Sequence, residues 1–240
     1  MKIWHVSDTH GIHEKLIIPP GIDAVFHTGD SCNKMDPNSN FIEFQNFLNW
    51  FSKLPIKHKV YVPGNHDTCL QSLVSPQYVQ NLGVNLLVND SIVINGLKIW
   101  GSPYMPRWGK WPFMVNRGNL YDQVWKHMPE DIDILLTHTP PYGYLDLTYH
   151  VGSQGWENVG CQELARRAQE VKPKLHCFGH IHSFKESAIK HSRVIDNNGI
   201  RVAPNWPSVL SHACTNLHGS FGKVWHNGNI IDWDFVTSMK

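Results

Sequence analysis

With 240 residues, 41% of them hydrophobic and 11% aromatic, the chain can fill the core of one large domain. Its 21 basic and 20 acidic residues leave a formal net charge of +1, which argues against a long polyanion-binding groove. Five scattered cysteines with no C-x-x-C pair argue against a disulfide framework or a thiolate zinc site and favour a reducing compartment. Residues Met1 to Ser7 read straight into a strand without a signal-like order, and no run approaches membrane-spanning length. A soluble cytoplasmic protein with no membrane partner is therefore expected.

Lys2 to Ser7 is a short β-type run ending in Asp8-Thr9-His10-Gly11, and Asp23 to His27 is a second, ending in Thr28-Gly29-Asp30. After a polar loop from Asn33 to Asn40, Phe41, Phe44, Leu48 and Phe51 recur at helical spacing until Pro55. A third strand, Lys59 to Val62, stops at Pro63-Gly64 and presents Asn65, His66 and Asp67. Gln77 to Leu82 reads as a short helix. Leu86 to Val88, Ser91 to Ile94 and Leu97 to Ser102 then read as a meander, with Asn95-Gly96 as a two-residue hairpin turn. Tyr104 to Trp125, rich in Trp, Pro, Gly and Arg, reads as a long ordered loop ending in a short helix. A buried-strand run, Ile132 to Leu136, leads to Thr137-His138-Thr139-Pro140-Pro141, and Tyr142 to Gly160 reads as a loop. A helix from Cys161 to Val171 precedes the strand Lys174 to Phe178, which ends in Gly179-His180-Ile181-His182. The remainder, Phe184 to Phe235, reads as all β.

Strand–helix alternation followed by antiparallel β predicts an α/β (α+β) fold and one domain over residues 1–240. The expected architecture is a four-layer α-β-β-α sandwich, two mixed sheets packed face to face with helices outside. Ligands in such folds gather at the carboxyl ends of strands. All five polar motifs sit there.

Collected, those strand ends offer Asp8, His10, Asp30, Asn65, His66, Asp67, His138, His180 and His182. Carboxylate, imidazole and amide donors without thiolate suit first-row divalent ions such as Mn, Fe, Co, Ni or Zn. The candidates are too many for one ion and right for two. A carboxylate shared between cations about 3.5–4 Å apart is a common phosphoryl-transfer device.

The ordered series Asp8-x-His10, Gly29-Asp30, Gly64-Asn65-His66-Asp67, His138 and Gly179-His180-x-His182 resembles the motif set of the calcineurin-like metallophosphoesterases. The resemblance implies one metal held by Asp8, His10 and His182, a second by Asn65, His138 and His180, and Asp30 bridging them, with manganese as the first choice of metal. It implies that His66 is no ligand but stabilises the transition state or protonates the leaving oxygen, held by Asp67. The competing role for Asp67 is a turn-capping carboxylate. Leu136 to Gly143, Val159 to Leu164, Gly101-Ser102-Pro103 and the Asn116-x-Gly118 region further resemble the subgroup related to class III cyclic-nucleotide phosphodiesterases. Some of its members have glycine where this chain has His180, so both metal sites are expected to be competent here.

The expected activity is hydrolysis of phosphodiesters, nucleotide-like or cyclic, by hydroxide generated at the two cations, with no covalent phospho-enzyme. The partner is a small phosphoester and not extended nucleic acid. A phosphomonoesterase, or a metal-binding scaffold without turnover, is the alternative. Among other polar residues, Arg117 either pairs with a substrate phosphate or is solvated, and Asn216 either lines the site mouth or makes a turn. Trp108 and Trp111 either stack on a base or pack their loop onto the domain, and packing is the reading taken. His5, His27 and His176, inside strands, read as packing residues or donors to ligand carboxylates.

Overall fold

In the computed structural model, which describes residues 1–150, 154–182, 200–202, 206–215 and 222–238, strand side chains alternate between two apolar environments. The first half of the chain runs β1 (Lys2–Val6), β2 (Ala24–His27), α1 (Pro37–Ser52), β3 (His58–Tyr61), α2 (Pro76–Gln80) and β4 (Asn85–Leu86). Next come β5 (Asp90–Ile94), β6 (Leu97–Ser102), β7 (Met105–Pro106), β8 (Met114–Val115), α3 (Leu120–Gln123) and β9 (Ile134–Thr137). The second half adds β10 (Leu147–His150), β11 (Gly155–Asn158), α4 (Gln162–Val171), β12 (Leu175–Phe178), β13 (Ile200–Val202), β14 (Val209–His212), β15 (Asn229–Asp232) and α5 (Trp233–Ser238).

Trp4, Val6, Val25 and Tyr61 face Phe44, Phe47, Leu48 and Phe51 of α1, whereas their neighbours Ile3, Ala24, Phe26 and Val60 face the other way. That second set meets Ile99, Ile134, Leu136, Leu175, Cys177 and Val209. On the far side, Trp100, Leu135, Phe178 and Leu210 pack against Leu120 of α3 and Leu164 and Ala168 of α4. Three apolar layers between four layers of secondary structure are the expected α-β-β-α sandwich. Asp36 caps α1 through Ser39 N at 2.9 Å, with Pro37 opening the helix. A cap is worth about 1 kcal/mol, while each fully buried Phe contributes roughly 1.5–3 kcal/mol. Packing therefore dominates the placement of α1.

The sheets have the orders β15-β1-β2-β3-β4 and β13-β14-β12-β9-β6-β5. Strands β1 to β4 run parallel in sequence, as do β6, β9, β12 and β14 across their sheet. Their carboxyl ends consequently emerge on one edge of the sandwich. Asn95 and Gly96 both have positive φ, 51° and 79°, and close the β5–β6 hairpin, as their sequence predicts.

Four expectations need correction. Asn85–Leu86 does not belong to a meander with β5 and β6 but pairs with β3 in the other sheet, because its apolar Leu86 completes the α1-facing core. Tyr142 to Gly160 contains the hairpin β10–β11. Of the segment expected to be all β, residues 184–199, 203–205 and 216–221 lie outside the described residues; among the rest, β15 returns to pair antiparallel with β1, and its end is helical, α5 burying Trp233 and Val236 between the sheets. The helix α1 begins at Pro37, so Asn40 lies within it, buried.

Candidate metal centre

Four of the candidate ligands sit on backbone that side chains seldom adopt: φ is 55° at Asp8, 40° at His10, 56° at Asp30 and 71° at His180. Left-handed backbone at a strand end reverses the chain and turns the side chain over the sheet edge. The neighbouring hydrogen bonds hold these turns in place. Asp8 N donates to Gly29 O at 2.8 Å and His10 N to Asp30 O at 3.0 Å, so the first two loops are laced together. Gly179 N donates to His138 O at 3.0 Å, lacing two loops of the other sheet. The two sheets join where His180 N donates to Asp8 Oδ2 at 2.9 Å. Gly29, at φ 103°, could not carry a Cβ, which would stand 2.5 Å from His138 Nδ1.

Two groups of potential ligand atoms result. Asp8, His10, Asp30 and His182 each offer one atom within 4.8 Å of the others, and so do Asp30, His138 and His180. Asp30 belongs to both groups. Asn65 joins the second, its Oδ1 3.2 Å from His138 Nε2.

The hydrogen bonds around these side chains fit them to hold cations. His10 Nδ1 donates to Cys32 O at 3.0 Å and His138 Nδ1 to Thr28 O at 2.8 Å. In the neutral ring each bond to a carbonyl leaves Nε2 as the nitrogen that offers a lone pair. Those lone pairs converge on other acceptors: His10 Nε2 is 3.3 Å from His182 Nε2, and His138 Nε2 is 3.4 Å from Asp30 Oδ2. Acceptors crowded face to face repel unless positive charge lies between them.

The titration directions follow from the same crowding. Burial would raise the Asp30 carboxyl, but the imidazoles of His138, His66 and His10 overcome it and hold Asp30 below the ordinary carboxylate range. Asp8 is likewise held well below that range, against its burial, by His182, His138 and His10. Burial lowers His138, yet the Asp30 carboxylate and Asp8 outweigh it and push His138 up to about 9, so with no cation present Nε2 carries a proton toward Asp30 Oδ2, and a metal would have to take that proton's place. Burial and the neighbouring His138 push His180 down to about 3, which suits a neutral ligand.

Behind the ligands lies a buried polar chain. Thr28 Oγ1 pairs with His5 Nε2 at 2.9 Å, His5 Nδ1 with Ser211 Oγ at 2.7 Å, and Asn229 Nδ2 donates to the same Ser211 Oγ at 2.9 Å. His27 Nε2 pairs with Thr9 Oγ1 and His176 Nε2 with Thr137 Oγ1. The strand histidines His5, His27 and His176 thus bind hydroxyls, not ligand carboxylates as one expectation had it. They orient the loops from beneath.

His66 stands beside the first group, its ring 4.8 Å from His10 and 4.5 Å from Trp111. Its backbone is fixed by His66 N donating to Asp30 Oδ1 at 2.7 Å and by Asn40 Nδ2 donating to His66 O at 2.7 Å. Among the described residues its buried Nδ1 has no hydrogen-bond partner. Asp67 does not hold it. The Asp67 carboxylate instead accepts from Asp30 N, Ser31 N, Ser31 Oγ, Cys32 N and Gly64 N at 2.7–3.2 Å, clamping the Asp30 turn to the Gly64 turn. This is the turn-capping role extended to two turns at once.

Arg117, weighed between a substrate phosphate and solvent, meets backbone carbonyls. Its guanidinium donates to Gly160 O at 3.2 Å and Val159 O at 3.0 Å, tying two loops together. Asn216 lies outside the described residues. The sequence reading missed one feature. Cys214 Sγ donates to Asp8 Oδ2 at 2.9 Å, and its place just beyond β14, like the other motifs just beyond their strands, was the available signal. Trp108 and Trp111, read as packing, border the cluster, with Trp108 6.5 Å from His180 by ring centroids.

Among the described residues no helix is long and apolar enough to cross a membrane. The profile of the calcineurin-like phosphoesterase family matches residues 1–184. The chain is 32% identical over 202 residues to "Metallophosphoesterase domain-containing protein 1" of Homo sapiens, covering 74% of this chain and 59% of that protein. It is 32% identical over 196 residues to "UPF0046 protein K07C11.7" of Caenorhabditis elegans, covering 76% and 63%. The chain thus spans about three fifths of the length of these curated relatives. A solved structure at 12% identity superposes with a TM-score of 0.58 over 88% of this chain and 89% of that one, a likeness of fold alone. Its strand-end ligand motifs and the profile spanning them make this chain a member of the calcineurin-like phosphoesterase family.

Proposed function

We propose that the protein is a metal-dependent phosphoesterase that hydrolyses phosphodiesters of nucleotide type at a two-metal centre. The observation that carries this reading is the membership of Asp30 in both ligand groups, which gives one carboxylate two cations to serve. Asp8, His10, Asp30 and His182 would hold one divalent ion, and Asp30, Asn65, His138 and His180 the other, with manganese the first to try. When bound, such a pair would polarise the phosphoryl oxygens and acidify a water for in-line attack on phosphorus.

The chain's own residues supply the rest. His66 presents a half-buried imidazole beside the cluster, with a backbone anchored at both N–H and C=O. It is the group to protonate the leaving oxygen. Asp67 positions Asp30 and the Gly64 turn from behind. The preference for diesters follows from charge. A monoester dianion gains from forked cationic side chains beyond the metals, and both arginines flanking the Trp108 loop are bonded to backbone and amide oxygens, leaving exposed Lys110 as that loop's remaining cation: Arg107 binds Met114 O and Asn116 Oδ1, Arg117 binds Gly160 O and Val159 O. A singly charged diester makes no such demand.

The test is turnover of manganese-loaded protein on bis(p-nitrophenyl) phosphate and on p-nitrophenyl phosphate. Faster diester cleavage is expected. Faster monoester cleavage overturns the substrate class, and no cleavage of either overturns the enzymatic reading in favour of a scaffold.

A further inference from the structure

Trp108 is 61% exposed, at the top of the loop between β7 and β8, although burying an indole is among the larger apolar gains open to a side chain. The loop that carries it is braced. Met105 N donates to Phe113 O at 3.0 Å and Arg107 N to Val115 O at 2.8 Å. The Arg107 guanidinium adds bonds to Met114 O at 2.6 Å and Asn116 Oδ1 at 2.8 Å. An exposed indole on braced backbone is held there at the expense of burial.

Its neighbours show what it faces. Ring centroids run from His180 to Trp108 at 6.5 Å, Trp108 to Trp111 at 6.1 Å, Trp111 to His66 at 4.5 Å and His66 to His10 at 4.8 Å. This arc begins at a candidate ligand of one group and ends at a ligand of the other, passing the imidazole assigned to the leaving oxygen. Trp111 is half-buried and backs the arc; Trp108 carries its free face. An organic group attached to a phosphate over the cluster would emerge alongside it. A flat π-surface meets a planar heterocycle well and an aliphatic group poorly.

We propose that the exposed face of Trp108 stacks the base of a nucleotide whose phosphate occupies the cluster of Asp8, Asp30 and the surrounding histidines, making Trp108 a specificity-determining residue. This rests on the phosphoesterase reading for the position of the phosphate, but not on turnover.

The experiment is equilibrium binding by calorimetry of 5′-AMP, ribose 5-phosphate and inorganic phosphate to the manganese-loaded protein, in wild type, Trp108→Ala and Trp108→Phe. Wild type should bind 5′-AMP at least about tenfold tighter than ribose 5-phosphate, as base–aromatic stacking contributes. Trp108→Ala should weaken 5′-AMP by roughly 10- to 100-fold and leave the other two unchanged, while Trp108→Phe keeps most of the preference. Equal binding of 5′-AMP and ribose 5-phosphate to wild type, equal weakening of all three ligands in Trp108→Ala, or no binding of any overturns the proposal. The two readings fail separately. Diester cleavage together with 5′-AMP binding indifferent to Trp108 sinks the platform alone; Trp108-dependent 5′-AMP binding without cleavage sinks the enzymatic reading alone.

Discussion

Cys214 Sγ donates a hydrogen bond to Asp8 Oδ2 across 2.9 Å, so the chain leaving β14 of one sheet grips the carboxylate that follows β1 of the other. Thr215 reinforces the join, its N donating to Ser7 O at 2.9 Å and its Oγ1 to Asp8 O at 3.1 Å. Cys214→Ala removes a donor that orients a ligand, and groups in that position typically tune metal affinity by about 10–100-fold. Metal retained after dialysis should fall in Cys214→Ala and recover in Cys214→Ser, whose hydroxyl restores the donor. Equal retention in all three proteins would contradict an orienting role.

His66→Ala should lower turnover by roughly 10²–10⁴-fold, as loss of a general acid does, with metal content unchanged. Because His66 touches the first ligand group only edge-on, at a centroid distance of 4.8 Å from His10, removing its ring leaves the cluster's donors in place. Metal loss in this variant would make His66 a ligand and overturn its assignment.

Gly179 has no room for a side chain: a Cβ there would collide with Ser7 Oγ and Asp8 Oδ2. Gly179→Ala should cost about 1–3 kcal/mol of stability through overpacking and displace Asp8 enough to deplete bound metal. Gly83, at φ 76° with nothing within 4 Å of a built Cβ, is the control. Gly83→Ala bears backbone strain of roughly 1–2 kcal/mol but should keep its metal. Thermal unfolding and elemental analysis together separate the two. Full metal content in Gly179→Ala would show that the Asp8 approach tolerates the methyl group.

His176 is buried against Phe178 and pairs through Nε2 with Thr137 Oγ1 at 2.8 Å. Burial pushes it down to about 3, against about 6.5 for a free imidazole. Between those values the unfolded chain binds the extra proton. The contribution to stability is therefore whole above about pH 6.5 and is lost as pH falls toward 3, by up to about 1.4 kcal/mol per pH unit. Urea unfolding of His176→Gln should lose less stability between pH 6.5 and 4.5 than wild type. Parallel losses would mean that His176 is already protonated in the folded state.

The parts of this molecule legible in the sequence are those fixed by short-range pattern. Strands β1, β2, β3, β9 and β12 are compact apolar runs, and each ends at a polar motif whose residue types betray their chemistry. The Asn95-Gly96 turn states its own conformation, and Phe44, Leu48 and Phe51 mark the buried face of α1. What escaped notice depends on partners distant along the chain. Nothing local in Asn229 to Asp232 says that it will pair with Lys2 to His5 instead of extending the nearer sheet. The five donors that occupy Asp67 come from turns as far as 37 residues away, so its neighbour His66 was a natural but mistaken partner. Arg117 is spent on carbonyls that a helical or loop pattern does not reveal. Trp108 and Trp111 carry the same letter, and only the fold tells which one keeps an open face.

The central claim is that Asp30 serves two cations at once. Elemental analysis of purified protein after reconstitution with excess manganese and desalting tests it most directly, with Asp30→Ala beside wild type. The account predicts two ions per chain in wild type and neither retained in Asp30→Ala. One ion per chain in wild type, or two ions kept without Asp30, would contradict it.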